Sequence, residues 1–288
     1  MGRKVVVGLV AALALVAVAP ATSHAAGDER WALLVGVNDY AGRTHDTVGA
    51  VGDATDLRDV LLRAGWRSDH IRVLLDRRAS AAAIRDGLSW LASHASPRSF
   101  TVFHYSGHVK QIGGDRDHDG EATDEYLWGA DNRFIADGEL AQRVRPMAGR
   151  VWVDIAGCEA AGFDDGISSR NHLFTASSRE NEKSYEQPKW RNSVFSGFLV
   201  DQALLHGAAG TSRDGRTSIQ RAFAHAASNA PKMTARQSRG PQHPVLRGGD
   251  GNEWYLGSPP PPPPPPARQP PQSAPRPSPS NCALLCIS

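Results

Sequence analysis

A chain of 288 residues with 40 % hydrophobic side chains can build one large domain or two small ones around a core. Its 32 Lys and Arg against 30 Asp and Glu leave a formal charge of +2. That balance excludes the bulk electrostatics by which basic proteins grip nucleic acid or an anionic membrane surface.

The first segment runs Gly2-Arg3-Lys4, then an apolar stretch from Val5 to Ala19, then Pro20 and small residues to Ala26. This is the order of a secretory signal peptide, with cleavage after Ala25 or Ala26. The alternative is a membrane anchor, but the apolar run is shorter than the roughly 20 residues a spanning helix needs. The expectation is export to an extracellular location, with no membrane span left after the signal is removed.

Strand and helix signals then alternate. Trp31 to Val37 and Ile71 to Leu75 read as strands around Val48, Val51, Ala54, Leu57, Leu61 and Ala64, which recur at helical spacing and end at Gly65. A second helix from Ser80 to His94 leads to a strand at Phe100 to Phe103, and a fourth strand follows at Val151 to Val153. Beyond these, His172 to Ala176 reads as a strand, Val194 to Leu205 and Ile219 to Ala227 as helices, and Trp254 to Leu256 as a short edge strand. Such alternation predicts an α/β domain over residues 27–257, with a parallel sheet covered on both faces. From Ser258 to Ser280 the composition shifts to a proline-rich linker of polyproline II character, with an unbroken run from Pro259 to Pro266. Residues 281–288 form a short tail.

Only three cysteines are present in this exported chain, Cys158, Cys282 and Cys286. The tail pair can close on itself, which leaves Cys158 as a free thiol in the domain. In "FTVFHYSGHVKQ" an apolar strand breaks to deliver His108, and in "VWVDIAGC" the next strand delivers Cys158, fifty positions later. Consecutive strand ends in a parallel sheet share one edge, where ligands bind. A thiol of ordinary pKa about 8.5 needs a base to become a nucleophile at neutral pH, and imidazole supplies one. Taken singly, a cysteine after a strand is a small core filler and a histidine a satisfied polar group.

The stretches "WALLVGVNDY", "GAVGDATDLRDVL", "YSGH", "DRDHDGEATDEYLWGADN", "IADGEL", "VWVDIAGCEAAGFDD" and "TASSRENEKSYE", in that order, resemble the caspase-like cysteine peptidases, and within them the bacterial metacaspase-like proteins. The resemblance covers about Trp31 to Leu256. It implies a three-layer sandwich with a mostly parallel six-stranded sheet, and an endopeptidase in which His108 activates Cys158 for attack on a peptide bond. Backbone N–H groups near Cys158 and just after His108 would hold the oxyanion, although Val109 stands where the family has glycine.

The same resemblance implies peptide or protein substrates cut after Arg or Lys, through a pocket carboxylate at Asp53 and a lining hydroxyl at Ser106. Asp53 read without the family is an exposed helix carboxylate. The family's aspartate two residues before the cysteine is replaced by Ala156; Asp154, four before, either reaches the pocket through a longer loop or leaves it one carboxylate short. Ser177 and Ser178 would shape the cleft, while His104, His172 and Trp152 read as packing residues. No cofactor is required for the chemistry. Calcium as an activator is implied at Asp124, Asp137 and Asp164 or Asp165, with Gly138 in place of a further family aspartate; a solvated acidic loop is the other reading. Asp115, Asp117, Asp119 and Gly120 begin like an EF-hand, but Tyr126 occupies the twelfth position, which rules that loop out. Two other functions stay open: a caspase-fold binding protein without turnover, and a cell-wall amidase or transpeptidase built on the same dyad. The oligomeric state is not set by these features.

Overall fold

The computed structural model describes residues 29–116, 120 and 122–258. The expected leader, the proline-rich linker beyond 258 and the Cys282 and Cys286 tail lie outside the described residues. In chain order the elements are β1 (Arg30–Gly36), α1 (Ala50–Arg63), β2 (Ile71–Leu75), α2 (Ala81–His94), β3 (Phe100–Ser106), β4 (Val109–Gly113), β5 (Thr123–Trp128), β6 (Phe134–Ala136), α3 (Asp137–Val144), β7 (Arg150–Ala156) and β8 (His172–Ala176). There follow β9 (Glu186–Gln187), β10 (Asn192–Ser193), α4 (Val194–Ser196, continued by a π-helical stretch Gly197–Leu205), α5 (Ile219–Thr234) and β11 (Val245–Gly248).

The main sheet has the order β11-β8-β7-β3-β1-β2. Its first five strands in chain order pair in parallel, and β11 closes one edge antiparallel to β8. Alternate side chains of each strand feed two cores. Val151, Val153 and Ile155 of β7 join Ile84 and Leu88 of α2 and Leu140 of α3; Trp152 on the other face joins Leu57 and Leu61 of α1, Leu199 of the π-helical stretch after α4, and Ala222 of α5. Burial on both faces explains why these strands read as continuous apolar runs. The architecture is the expected three-layer α/β sandwich.

Close approach fixes one helix. A Cβ placed on Gly52 of α1 would lie 1.9 Å from the backbone oxygen of Arg191, so the helix abuts the chain entering β10 with no room for a methyl group. Gly52→Ala is expected to destabilise the fold by about 1–3 kcal/mol, read from the midpoint of urea unfolding.

Three elements differ from the sequence expectation. The stretch around "TDEYLWGADN" is not a loop but carries β5, the centre of a second, three-stranded sheet in the order β4-β5-β6, followed by α3. Its acidic residues masked the strand, while Leu127 and Ile135 are driven into the core. The edge strand is β11, not Trp254 to Leu256: the Trp254 N–H donates to Gln220 Oε1 at 2.8 Å and its carbonyl accepts from Ile219 at 2.9 Å, so that backbone caps α5. Helix α5 runs past Ala227 to Thr234 despite Pro231, because Ala226, Ala230 and Thr234 continue one buried face. Among the described residues no helix is long and apolar enough to cross a membrane.

Candidate active site

Strands β3 and β7 are neighbours in parallel register, with Ser106 opposite Ala156. The residues that follow each strand therefore emerge together, and His108 and Cys158 line one cleft of about 130 Å³. A Cβ on Gly157 would lie 2.7 Å from Val109 Cγ2, so the valine that replaces the expected glycine after the histidine packs onto a glycine across the cleft base. A larger cavity of about 760 Å³, lined by Arg30, Phe100 and Arg150, lies at the other end of these strands and carries no histidine or cysteine.

His108 is oriented by three groups. Its Nε2 lies 2.7 Å from the His45 carbonyl, its backbone N–H donates to the Tyr40 hydroxyl at 2.7 Å, and its carbonyl accepts from Tyr105 at 2.6 Å. A carbonyl can only accept, so in the neutral ring the proton sits on Nε2 and Nδ1 carries the lone pair. The Tyr40 ring tilts over the imidazole at 4.8 Å, and burial pushes the Tyr40 hydroxyl up to about 12, which keeps it protonated.

The Cys158 thiol is partly buried and free of disulfide partners. Its Sγ receives the Ser184 N–H at 3.5 Å and stands 3.9 Å from the Ser184 carbonyl. Burial is the first cause that raises its pKa, so the resting group is a thiol and needs a base. Glu159, next in sequence, adopts a left-handed φ of 53°. Its N–H donates to the Glu182 carbonyl at 2.8 Å, and its buried carboxylate pairs with Lys183. The segment from Glu182 to Glu186 is thereby stitched alongside Cys158. Its far end is tied by Glu186 Oε1, which accepts from the N–H groups of Val48 at 2.9 Å and Gly49 at 2.7 Å.

Asp53 is neither an exposed helix carboxylate nor a cleft wall. It is fully buried, with Oδ2 accepting from Ser106 Oγ at 2.7 Å and Oδ1 from the Ser193 N–H at 3.0 Å. Burial lifts its pKa to about 6 against the lowering effect of those bonds, so it is mostly ionised at neutral pH behind the two serines. Ser106 itself lines the cleft. Asp154 does not reach the pocket: it is fully buried within β7, its Oδ2 2.8 Å from His104 Nδ1 and its Oδ1 2.5 Å from Thr175 Oγ1. The pleat explains this, because Asp154 lies on the same face as Ala156 but one full repeat deeper. His104 is thus a hydrogen-bonded core histidine rather than simple packing. Ser177 stands behind the residue before Cys158, accepting from Gly157 N at 3.0 Å and donating to Gly157 O at 2.8 Å.

Three of the four aspartates assigned to calcium have separate partners. Asp124 Oδ2 accepts from Arg116 N and Tyr126 Oη, Asp137 Oδ2 accepts from Glu125 N, and Asp164 pairs with Arg247 at 3.1 Å and receives Ser168. Asp165 also lies outside any such group: among the described residues, no three of His, Cys, Asp and Glu come together to hold a metal ion. Asp117 and Asp119 lie outside the described residues. Asp124 Oδ1 is buried without a hydrogen-bond partner among the described residues, and no catalytic step is derived through calcium.

The region instead holds a buried acid that the sequence reading missed. Burial, with Asp137 beside it, raises Glu125 from 4.5 to about 8. The unfolded chain releases this proton near 4.5 while the folded chain keeps it, so its contribution to stability is full below 4.5 and is lost as pH rises to about 8. Glu125→Gln is expected to flatten the fall in Tm across that window, in thermal melts at a series of pH values.

Other groups were also missed: Tyr40, Tyr105, the His45 carbonyl, Lys183 with Glu159, and Glu186. Tyr40 and Glu186 end the quoted stretches "WALLVGVNDY" and "TASSRENEKSYE", but nothing in their spacing assigns them to a histidine or a cleft.

Comparison with known proteins agrees with this geometry. Residues 29–248 match the family model described as the caspase domain. The chain is 25 % identical over 225 residues to Metacaspase-1 of Schizosaccharomyces pombe, covering 73 % of this chain and 50 % of that one. It is 33 % identical over 195 residues to Metacaspase-1 of Lodderomyces elongisporus, covering 63 % and 41 %. The chain thus spans about half the length of the curated relatives it matches. A solved structure from Geobacter sulfurreducens superposes with a TM-score of 0.57 at 16 % identity, over 81 % of this chain and 95 % of that one, which is a likeness of fold. With the domain match spanning both the His108 and the Cys158 strand ends, the chain belongs to the caspase-domain family.

Proposed function

We propose that this protein is a secreted cysteine endopeptidase of the metacaspase type, acting outside the cell through His108 and Cys158 and cutting peptides after Arg or Lys. The observation that carries the reading is the contact of His108 Nε2 with the His45 carbonyl, which leaves Nδ1 of the neutral ring to act as base in the cleft that also holds the thiol. His108 takes the Cys158 proton on Nδ1 as Sγ bonds to the substrate carbonyl carbon. The Cys158 N–H, which has no partner among the described residues, meets the developing oxyanion. The C–N bond then breaks as the imidazolium gives its proton to the leaving amine, and water cleaves the thioester with His108 again as base. The basic preference is supported by the ionised Asp53 behind Ser106.

The test is turnover of matched fluorogenic peptides ending in Arg, Lys, norleucine or Asp, with and without Ca²⁺, beside a Cys158→Ala control. Cleavage after basic residues that disappears in the control supports the proposal; a rate that needs the ion would bring the aspartates back as an activator site. One observation favours a second reading, a binding protein without turnover: Ser184 already occupies the Cys158 thiol. Iodoacetamide separates the two, because a thiol activated by His108 alkylates well below the pH at which a free cysteine does.

A further inference from the structure

The cleft lacks the carboxylate expected at position 156, and Asp154 is committed to His104. Asp53 contributes charge from behind Ser106 and Ser193 but does not line the cleft. One acidic side chain does line it: Glu186, on the segment beside Cys158. We infer that Glu186 is the residue that recognises the basic side chain of the substrate, taking the place of the aspartate missing at Ala156. The inference rests on the reading of the cleft as a peptidase site selective for Arg or Lys.

Three features of Glu186 support the assignment. Its Oε1 is held by two backbone N–H groups, those of Val48 and Gly49, at the start of α1. These two bonds fix the direction of the carboxylate in the cleft wall. Oε2 has no partner among the described residues, so the anion keeps a free acceptor at an exposed cleft wall. The backbone that carries it is also fixed independently of its charge: Tyr185 N donates to Gln242 Oε1 at 3.1 Å, Tyr185 Oη donates to the Gly240 carbonyl at 2.7 Å, and Val194 N donates to the Tyr185 carbonyl at 2.8 Å. A carboxylate pre-positioned in this way loses little freedom when a guanidinium or ammonium arrives.

The residue's structural and recognition roles separate cleanly. In Glu186→Gln the amide oxygen still accepts from Val48 and Gly49, so the segment stays in place and only the negative charge goes. Measured on the full chain, the variant is expected to lose about tenfold in kcat/KM for peptides ending in Arg while peptides ending in norleucine change little, the scale of one charge-assisted hydrogen bond. An unchanged Arg-to-norleucine ratio overturns the assignment while leaving the peptidase reading intact, and so does an equal fall for both peptides, which would mark Glu186 as a tether alone. If the wild-type chain cleaves nothing, the peptidase reading fails, and the assignment is judged by calorimetric binding of the same peptides to Cys158→Ala chains with and without Glu186→Gln. A preference for the Arg peptide that Glu186→Gln removes supports it; no preference, or one that survives the change, overturns it.

Discussion

Replacing Cys158 by alanine is expected to reduce peptide turnover by at least about 10³-fold, and His108→Ala to reduce it comparably. The two losses should not add, because each change removes the same event, transfer of the thiol proton to an oriented imidazole. A base is expected to be needed because burial raises the pKa of Cys158 and its hydrogen-bonding neighbour Ser184 is a backbone amide rather than a cation. Lys183 approaches the thiol but is matched by Glu159, so its field is largely cancelled. A double variant no worse than either single one, in kcat measured under saturating peptide, is the expected signature of a dyad acting as a unit. Activity that survives Cys158→Ala would remove the thiol from the mechanism.

Asp154→Ala is expected to destabilise the fold by about 3–5 kcal/mol, the range for stripping one partner from a buried polar pair. His104 and Asp154 are both 0 % exposed, and the imidazole Nε2 already lacks a partner, so the variant would leave the whole ring unsatisfied. Thr175 would also lose the nearer of the two acceptors for its hydroxyl, keeping only the Val153 carbonyl at 3.4 Å, while that hydroxyl itself accepts from the Trp152 indole N–H at 2.8 Å. Denaturant unfolding measures the loss. A double change, His104→Phe with Asp154→Leu, is expected to recover much of it, since an apolar pair of similar volume needs no hydrogen bonds. The ratio of Arg to norleucine cleavage should be unmoved by Asp154→Asn, because this carboxylate lies within the sheet and not at the cleft. A large specificity change would instead place Asp154 in substrate contact.

What was legible in the sequence divides along a physical line. The buried parallel strands were readable because continuous apolar runs have no other use, and the strand ends of β3 and β7 then placed His108 and Cys158 at one edge without any knowledge of side-chain contacts. The second sheet was hidden because Asp124 and Glu125 give β5 the composition of an acidic loop, and only tertiary burial makes a strand of it. The place of Asp154 stayed open for a related reason. Distance from the cysteine along the chain does not say how deep in the sheet a side chain lies, so the sequence left open whether Asp154 reaches the pocket or leaves it one carboxylate short. Glu186 approaches the cleft from a separate segment, and its hydrogen bonds run to Val48 and Gly49, more than 100 positions away.

The partner that fixes the tautomer of His108 is a backbone carbonyl, that of His45. Every amino acid offers the same atom at that place, so the identity of residue 45 is free to drift while the chemistry stays constant. A scan of side-chain substitutions would score position 45 as permissive and pass over a member of the site. What the site constrains there is the path of the chain between Tyr40 and Ala50, and it is insertions or deletions in that turn, rather than point changes, against which selection has to act.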